Sequence, residues 1–284
     1  MEVIERREAF RDACDDARLA GKTVGFVPTM GFLHAGHESL LRRARVENEV
    51  AAMSIFVNPL QFGPAEDLTS YPRDLERDLA IAKGQGVDLV FAPSEAEMFP
   101  ARPEVTVDPG PIGDRLEGAS RPGHFRGVCT IVARLFGLVG PCRAYFGEKD
   151  AQQLAVIRRM VDDLAMPVVV VGCETIREED GLALSSRNTY LSDEERVAAR
   201  CLSRALAAAA RLGEDGERAA AVLEAEMARR IGAEPLAAID YAAVVDDRTF
   251  ERAVTLEGPA RALVAVRVGS TRLIDNLRLP GASR

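Results

Sequence analysis

Short apolar runs alternate with helical segments along the first two-thirds of the chain. Such runs are typical of strands buried in a parallel sheet. They cover residues 24–27, 50–57, 88–93 and 167–172, and another run leads into a loop at 144–150. The segments between the runs, and residues 2–20 before the first run, carry apolar residues at helical spacing. Because strands and helices alternate, the pattern predicts an α/β fold with a doubly wound parallel sheet.

The composition changes after residue 192. Two helical segments rich in Ala, Arg and Glu, residues 193–212 and 217–231, precede three runs of alternating character. These runs, at residues 239–245, 261–268 and 271–277, are predicted strands. We therefore expect a first domain over residues 1–175 and a smaller α+β lid domain over residues 176–284.

Composition and charge narrow the class of protein. The net charge of −8, from 36 basic and 44 acidic residues, argues against general nucleic-acid binding, which needs a basic surface. The five cysteines are odd in number and form no C-x-x-C pair, which indicates reduced thiols in a cytoplasmic protein. We find no signal-peptide pattern and no apolar run of about 18 residues, so we expect neither secretion nor membrane insertion.

Two of the three histidines lie three residues apart in the stretch that follows the first strand. Pro28 should end that strand, because proline cannot donate to a sheet ladder, and Gly31 permits a turn. His34 and His37 should then lie in the turn and first helical turn, where free N–H groups and the helix dipole favour a phosphate. Imidazoles there could donate to phosphate oxygens, and Gly36 between them leaves room for a ligand. The alternative is an ordinary strand–helix turn that contains packing histidines.

Polar residues follow the second strand. Ligands of open α/β sheets bind outside the carboxyl ends of the strands, so Asn58 and Gln61 are candidates for substrate contact. Turn chemistry is the alternative, and it explains Asn58 better than Gln61. The loop over residues 62–72 is flanked by Gly and Pro and is long enough to form a lid.

A charged cluster follows the strand near residue 144. Lys149 is one of only three lysines, against 33 arginines, and a compact ammonium suits a single phosphate oxygen in a tight site. Gly147 permits close approach, and Glu148, Asp150 and Gln153 lie beside the lysine in sequence. Helix capping explains Asp150 in part.

Two further sets of side chains complete the candidates. Arg121 and His124 open a helix, and His124 taken alone is as compatible with a structural role as with a functional one. Ser185, Ser186 and Arg187 form a compact set of hydrogen-bond donors.

These motifs resemble a known family. His34-Ala-Gly-His37 resembles the HxGH signature of the nucleotidyltransferase superfamily. The longer string Phe26-Val-Pro-Thr-Met-Gly-Phe-Leu-His-Ala-Gly-His37 resembles the pantoate–β-alanine ligase family. Arg121-Pro-Gly-His-Phe-Arg-Gly-Val128, Gly147-Glu-Lys-Asp-Ala-Gln-Gln153 and Leu184-Ser-Ser-Arg-Asn188 resemble its later motifs. Leu184 replaces the usual Met, a swap that conserves volume. The resemblance covers roughly residues 23–192.

The resemblance implies a Rossmann-like nucleotide-binding domain and an ATP-dependent ligase. The enzyme would condense pantoate with β-alanine through a pantoyl adenylate, with Mg²⁺ on the phosphates, as a homodimer. The implied catalytic residues are His34, His37 and Lys149. The implied ATP contacts are Pro28, Met30, His34, His37, Gly147, Glu148, Lys149, Asp150, Ile176, Leu184, Ser185, Ser186 and Arg187. The implied pantoate contacts are Met30, Asn58, Gln61, Arg121, His124 and Gln153.

The metal contact implied by the resemblance is Asp78, although this residue could equally lie on a solvated helix face. Two alternative functions are also compatible with the HxGH motif. One is another adenylyltransferase, which would need extra basic groups for a phosphate substrate. The other is a non-enzymatic nucleotide-binding protein, which would bind ATP without releasing pyrophosphate.

Overall fold

The computed structural model describes residues 1–63, 68–69 and 71–280. The chain divides into two compact units. The first unit comprises Met1–Glu148 and Val156–Glu174, and the second comprises Lys149–Ala155 and Thr175–Arg284.

A six-stranded parallel sheet forms the centre of the first unit. Its strands are β1 (Glu2–Ile4), β2 (Val24–Thr29), β3 (Val50–Ile55), β4 (Leu89–Phe91), β5 (Cys142–Gly147) and β6 (Val168–Cys173). Their spatial order is β1-β4-β3-β2-β5-β6. The chain winds outward from β2 to β4 and then returns to place β5 on the other side of β2. The sheet therefore has a topological switch point between β2 and β5, which is where ligands of such sheets bind.

Helices lie between these strands along the chain, and the first residues of the last of them, up to Ala155, belong to the second unit. They are α1 (Arg7–Leu19), α2 (Ala35–Glu47), α3 (Leu75–Gly84), α4 (Glu95–Met98), α5 (Glu117–Ser120), α6 (His124–Val139) and α7 (Ala151–Asp163). Short 3₁₀ turns lie at Pro59–Gln61, Gly110–Asp114 and Glu148–Asp150.

Neighbouring residues of a strand point to opposite faces of the sheet, and side chains on both faces pack against helices. Val27 packs in one apolar cluster with Leu41 of α2 and Ala82 of α3. Its neighbour Phe26 meets Phe10 of α1, with ring centroids 6.2 Å apart. The continuous apolar runs of the sequence thus correspond to strands buried on both faces.

The second unit combines helices with a three-stranded antiparallel sheet in the order β7-β8-β9. Its strands are β7 (Ala237–Asp246), β8 (Ala260–Val268) and β9 (Thr271–Leu279). Its helices are α8 (Asp193–Ala199), α9 (Cys201–Glu214) and α10 (Ala220–Gly232), and a 3₁₀ turn lies at Ser186–Tyr190. Leu202, Leu206, Leu223 and Val264 share its core, so α9 and α10 pack on the sheet. The predicted α/β class with a smaller α+β part is confirmed.

Two predicted boundaries were wrong. The first helix begins at Arg7 and not near residue 2, because Ile4 is buried in β1 and pairs beside Phe91. The first strand continues through Pro28 to Thr29. Pairing of β2 with β5 covers only Gly25 and Phe26, so the missing N–H of Pro28 lies where β2 has a single ladder.

Other predictions stand as follows. Residues 64–67 and 70 of the proposed lid lie outside the described residues. The boundary between residues 175 and 176 stays a prediction. All five cysteines are free and buried. Within the described ranges, no helix has both the length and the apolar character needed to cross a bilayer.

Candidate nucleotide and carboxylate site

The turn after β2 has an unusual backbone. Gly31 has φ +83° and Phe32 has φ +52°, so two successive residues adopt the left-handed conformation. The hydroxyl of Thr29 donates to the Ser54 carbonyl at 2.7 Å and accepts from the Gly31 N–H at 3.2 Å. These bonds anchor the start of the turn to β3, directly before the histidines.

The two histidines cap helix α2. His34 is the N-cap, and its Nδ1 accepts from the Gly36 N–H at 3.1 Å. The Nδ1 of His37 accepts in return from the His34 N–H at 3.4 Å. This is a reciprocal capping box in which imidazoles replace the usual hydroxyl and carboxylate. The rings lie close together, with centroids 4.1 Å apart.

The capping bonds determine where each ring carries its proton. A ring nitrogen that accepts a hydrogen bond is unprotonated, so the neutral forms of His34 and His37 hold their protons on Nε2. Each ring is therefore fixed as an Nε2–H donor at the positive end of a helix. That arrangement suits an anion.

Gly36 has a more specific role than its sequence position suggested. A Cβ at this position would lie 2.9 Å from both Cε1 and Nδ1 of His34. The glycine was expected to leave room for a ligand, whereas in the structure this space holds the His34 ring.

Several of the predicted pantoate residues lie together in the first unit. The Nδ2 of Asn58 donates to Gln61 Oε1 and to the Gly127 carbonyl, both at 3.1 Å. Its Oδ1 accepts from the Leu60 N–H at 3.2 Å. The Nε2 of Gln61 lies 3.0 Å from the sulfur of Met30. Asn58 is 1% exposed and holds the 58–61 turn, so its direct contact with a substrate stays a prediction.

Arg121 and His124 extend this network. An arginine can only donate, so Nη1 of Arg121 donates to Nε2 of His124 at 3.0 Å. Nδ1 of His124 then donates to the Gln61 carbonyl at 2.9 Å. His124 thus supports the backbone of Gln61. Gly127 on the same helix is required for close packing, because a Cβ there would lie 2.1 Å from the Leu60 carbonyl oxygen.

The ends of β2 and β5 meet at the same edge of the sheet. Gly25 and Phe26 pair in parallel with Arg143 and Ala144, so the end of β2, which contains Pro28 and is followed by Met30, lies at the same edge of the sheet as the end of β5 at Gly147. Among the described residues, no heavy atom lies within 4 Å of a Cβ built on Gly147, which leaves space for a ligand. Glu148 follows in a half-buried 3₁₀ turn.

In the second unit, Lys149 is held through its backbone. Its carbonyl accepts from Nδ2 of Asn276 at 2.8 Å, and its ammonium lies 3.8 Å from Oδ1 of Asp150. The Lys149 side chain is 19% exposed. Gln153 is half-buried on α7, one turn after Asp150.

The serine–arginine motif lies in a loop of the second unit. Ser185 is the N-cap of the 3₁₀ turn at Ser186–Tyr190, and its hydroxyl accepts from the Arg187 N–H at 3.3 Å. The Leu184 N–H donates to the Ile176 carbonyl at 2.9 Å, so the two ends of the loop are joined. Ser186 and Arg187 are half-buried.

Some residues that support these motifs were not predicted from the sequence. Arg177 forms two hydrogen bonds with the buried carboxylate of Asp275, at 2.7 and 2.9 Å. The neighbouring Asn276 reaches Lys149. Asp275 occupies an inward position of β9, where the alternation of the strand predicts an apolar residue, and this exception is the signal that could have identified the pair Asp275-Asn276.

Asp78 was the predicted metal contact. It lies on α3 with 1% exposure, and its two oxygens accept from the N–H groups of Phe32 and Leu33, each at 2.7 Å. In the described part of the chain, no group of three or more His, Cys, Asp or Glu residues could hold a metal ion. These contacts do not fit a metal-ligating carboxylate.

Comparison with known proteins gives consistent matches over almost the whole chain. The family model described as pantoate-beta-alanine ligase matches residues 2–278. The pantothenate synthetase of Brucella ovis is 53% identical over 277 residues, which cover 97% of this chain and 94% of the relative.

Solved structures agree. The crystal structure of pantothenate synthetase from Thermus thermophilus is 51% identical with a TM-score of 0.92, covering 99% of this chain and 100% of that chain. The crystal structure of pantoate-beta-alanine ligase from Francisella tularensis, complexed with beta-gamma ATP and beta-alanine, is 33% identical with a TM-score of 0.79. That match covers 98% of this chain and 97% of the other.

Proposed function

This chain belongs to the pantoate–β-alanine ligase family, and we propose that it condenses pantoate with β-alanine at the expense of ATP. The observation that carries the proposal from the structure is the pair of histidines fixed as Nε2–H donors at the start of α2. The family resemblance noted from the sequence is confirmed by the family match over residues 2–278.

The proposed reaction has two steps. A carboxylate oxygen of pantoate attacks the α-phosphorus of ATP, the bond from that phosphorus to the bridging oxygen breaks, and pyrophosphate leaves. The neutral amine of β-alanine then attacks the acyl carbon of the pantoyl adenylate. AMP leaves with the electron pair of the acyl–oxygen bond, and the amine nitrogen releases a proton. Neither step needs a covalent enzyme nucleophile, so alignment and charge stabilisation are the tasks of the protein.

His34 and His37 would stabilise the departing pyrophosphate. Negative charge accumulates on it as the phosphorus–oxygen bond breaks, and a preorganised N–H donor is most effective where charge develops. The capping bonds keep both rings in the donor tautomer without reorganisation during the reaction.

The network around Gln61 would hold pantoate. Met30, Asn58, Arg121 and His124 are connected to Gln61 by the contacts described above, so its side chain is preorganised. In the second unit, the proposed contacts are Gln153 for pantoate and Lys149, Asp150, Ile176, Leu184, Ser185, Ser186 and Arg187 for ATP. Gly147 and Glu148 would contact the nucleotide at the edge of the sheet.

We also propose that Mg²⁺ enters with ATP. This ion commonly keeps several waters and binds chiefly through substrate phosphates, so it needs no dedicated protein cage. It would neutralise charge on the phosphates when bound.

A homodimer in the cytoplasm is a further part of the proposal. The family resemblance supports the dimer, and the five free thiols support the cytoplasm, where cysteines stay reduced. A single monomeric species in sedimentation at micromolar concentration would contradict the dimer.

Pyrophosphate release tests the reaction. With ATP, Mg²⁺ and pantoate, we expect exchange of labelled pyrophosphate into ATP without β-alanine and continuous pyrophosphate release with it. Absence of exchange would exclude a free-standing adenylate step. Release that requires nicotinate mononucleotide or phosphopantetheine in place of pantoate would indicate a different adenylyltransferase.

The histidine roles are tested separately. His34→Ala and His37→Ala should each lower the rate of adenylation by about 10²–10³-fold, as for loss of other preorganised donors. Arg42→Ala, on the exposed face of the same helix, is the control and should retain the wild-type rate. Near-normal rates in both histidine variants would indicate that these residues have only a packing role.

A further inference from the structure

Asp78 is a buried carboxylate whose contacts are made by backbone. It is 1% exposed, and each of its oxygens accepts one N–H group from the turn after β2. A buried carboxylate without partners is strongly destabilising, whereas N–H donors to a charged acceptor form short, strong hydrogen bonds. The 2.7 Å distances from Phe32 N and Leu33 N are of this kind.

The turn that donates these hydrogen bonds has a backbone conformation that is unfavourable for most residues. Phe32 has φ +52°, which lies in the left-handed region that is unfavourable for a residue other than glycine. Two charge-assisted hydrogen bonds to the backbone of this turn favour its conformation and so offset that strain. Asp78 therefore stabilises the strained conformation directly.

Helix α3 restrains the turn at two further points. The guanidinium of Arg77 lies over the Phe32 ring, 5.2 Å from its centroid. A Cβ on Gly31 would lie 2.9 Å from Oδ2 of Asp78, so the carboxylate occupies the space that any larger residue would need. The next residue after the two bonded N–H groups is His34, the N-cap of α2.

We infer that Asp78 is a positioning residue: its carboxylate fixes the turn at residues 31–33 and so sets the direction in which His34 and His37 present their Nε2–H groups. This inference rests on the proposed function for the role of the histidines. It replaces the metal-contact role expected from the family resemblance. Mg²⁺ commonly retains several waters, and a carboxylate that is 1% exposed offers no surface to a hydrated cation.

Asp78→Asn is the informative substitution. The amide keeps the size of the side chain but replaces one accepting oxygen with an NH₂ group, which would face a backbone N–H. We expect kcat to fall by about 10–100-fold, since a displacement of about 1 Å at a catalytic group has that effect. The Mg²⁺ concentration that gives half-maximal activity should change by less than about threefold.

Glu76→Gln is the matched control, because Glu76 is an exposed acid on the same helix. It should leave kcat unchanged. A kcat of Asp78→Asn within about fivefold of the wild type would overturn the inference. So would a rise of about tenfold or more in the half-maximal Mg²⁺ concentration, the size expected for loss of a group that tunes a metal site.

Two measurements on the wild-type protein keep the inference testable if Asp78→Asn fails to fold. Hydrogen exchange should show protected amides at Phe32 and Leu33, although neither residue lies in a helix or strand. Nitrogen NMR of the imidazoles should show His34 and His37 as Nε2–H tautomers, and Asp78→Asn, where folded, should lose that preference. Unprotected amides at both positions would overturn the inference.

These outcomes separate the two hypotheses. If His34→Ala and His37→Ala retain activity, the proposed function of the histidines fails while the amide protection can still be observed. If the histidine variants are inactive but the amides are unprotected, the proposed function stands and the positioning role of Asp78 fails.

Discussion

Replacement of Gly36 by alanine should separate catalysis from stability in this protein. The added Cβ would lie 2.9 Å from Cε1 and Nδ1 of His34, whereas ordinary contacts begin at 3.4 Å. The ring must therefore retreat by about 0.5 Å, and the bond from the Gly36 N–H to His34 Nδ1 weakens. The ring then loses both its position and its fixed tautomer.

The change in stability should be small because two effects oppose each other. Alanine inside a helix is more stable than glycine by about 0.5–1 kcal/mol. Loss of the N-cap bond costs about 1 kcal/mol. The free energy of unfolding of Gly36→Ala should therefore stay within about 1 kcal/mol of the wild-type value, a shift in Tm of a few degrees at most.

The rate should change far more. A displacement of about 1 Å at a reacting group lowers rates about 10²-fold, so we expect a fall of about 10–100-fold in adenylation. The assay is pyrophosphate release in a single turnover with ATP, Mg²⁺ and pantoate, paired with urea unfolding of the same preparation.

The control is Gly137→Ala in helix α6. Gly137 is exposed, and no described heavy atom lies within 4 Å of the Cβ position. This variant should gain stability and keep the wild-type rate. A Gly36→Ala protein with wild-type adenylation would refute the assignment of the His34 ring to the reaction. A decrease of more than about 3 kcal/mol in its free energy of unfolding would refute the expectation that the two effects on stability nearly cancel.

Two further predictions concern Lys149 and the thiols. Lys149→Arg keeps the charge but changes its shape, so the adenylation rate should fall about 10²-fold or more. Unfolding free energy should change by less than about 1 kcal/mol, because the partner carboxylate of Asp150 is 48% exposed; a fully active variant would contradict the role of Lys149. Burial raises the pKa of the thiols of Cys14, Cys129 and Cys142 to about 12, and that of Cys201 to about 11. Above about pH 8.5 the unfolded thiols ionise while the folded ones remain protonated, so stability is complete below that pH and falls as the pH rises towards 11–12. Between pH 8 and pH 10, the free energy of unfolding measured with urea under reducing conditions should fall by about 1–2 kcal/mol per thiol. The fall should be smaller for Cys129→Ala, and equal stability at the two pH values would contradict this prediction.

The sequence by itself determined the α/β class and the location of the central motif. A strand that is buried on both faces of a sheet is apolar at nearly every position, and apolar residues in the helices between such strands recur at the helical period. The local pattern was therefore sufficient to predict the class. His34 and His37 are three residues apart on one chain segment, and the strand before them and the helix after them restrict where they can lie. For these features, neighbours in sequence are neighbours in space.

Pattern alone misjudged the ends of elements. Ile4 and Phe10 both fit an amphipathic helix, yet Ile4 is in a strand because β4 offers it a partner edge. Pro28 looked like the end of β2, but pairing with β5 stops earlier and the strand continues. Pairing between distant strands decided both cases, and periodicity carries no information about which partner is present.

Only the tertiary structure decided which side chains support the motifs. Asp78 reaches the N–H groups of Phe32 and Leu33 from a helix 46 and 45 residues further along the chain. His124 supports Gln61 across 63 residues, and Asn276 holds Lys149 across 127. A buried polar group must find a partner, but its sequence context does not say which one. Packing of the helices on the sheet brings these groups within hydrogen-bonding distance, and it thereby changes Asp78 from an apparent surface or metal residue into a support for the histidine turn.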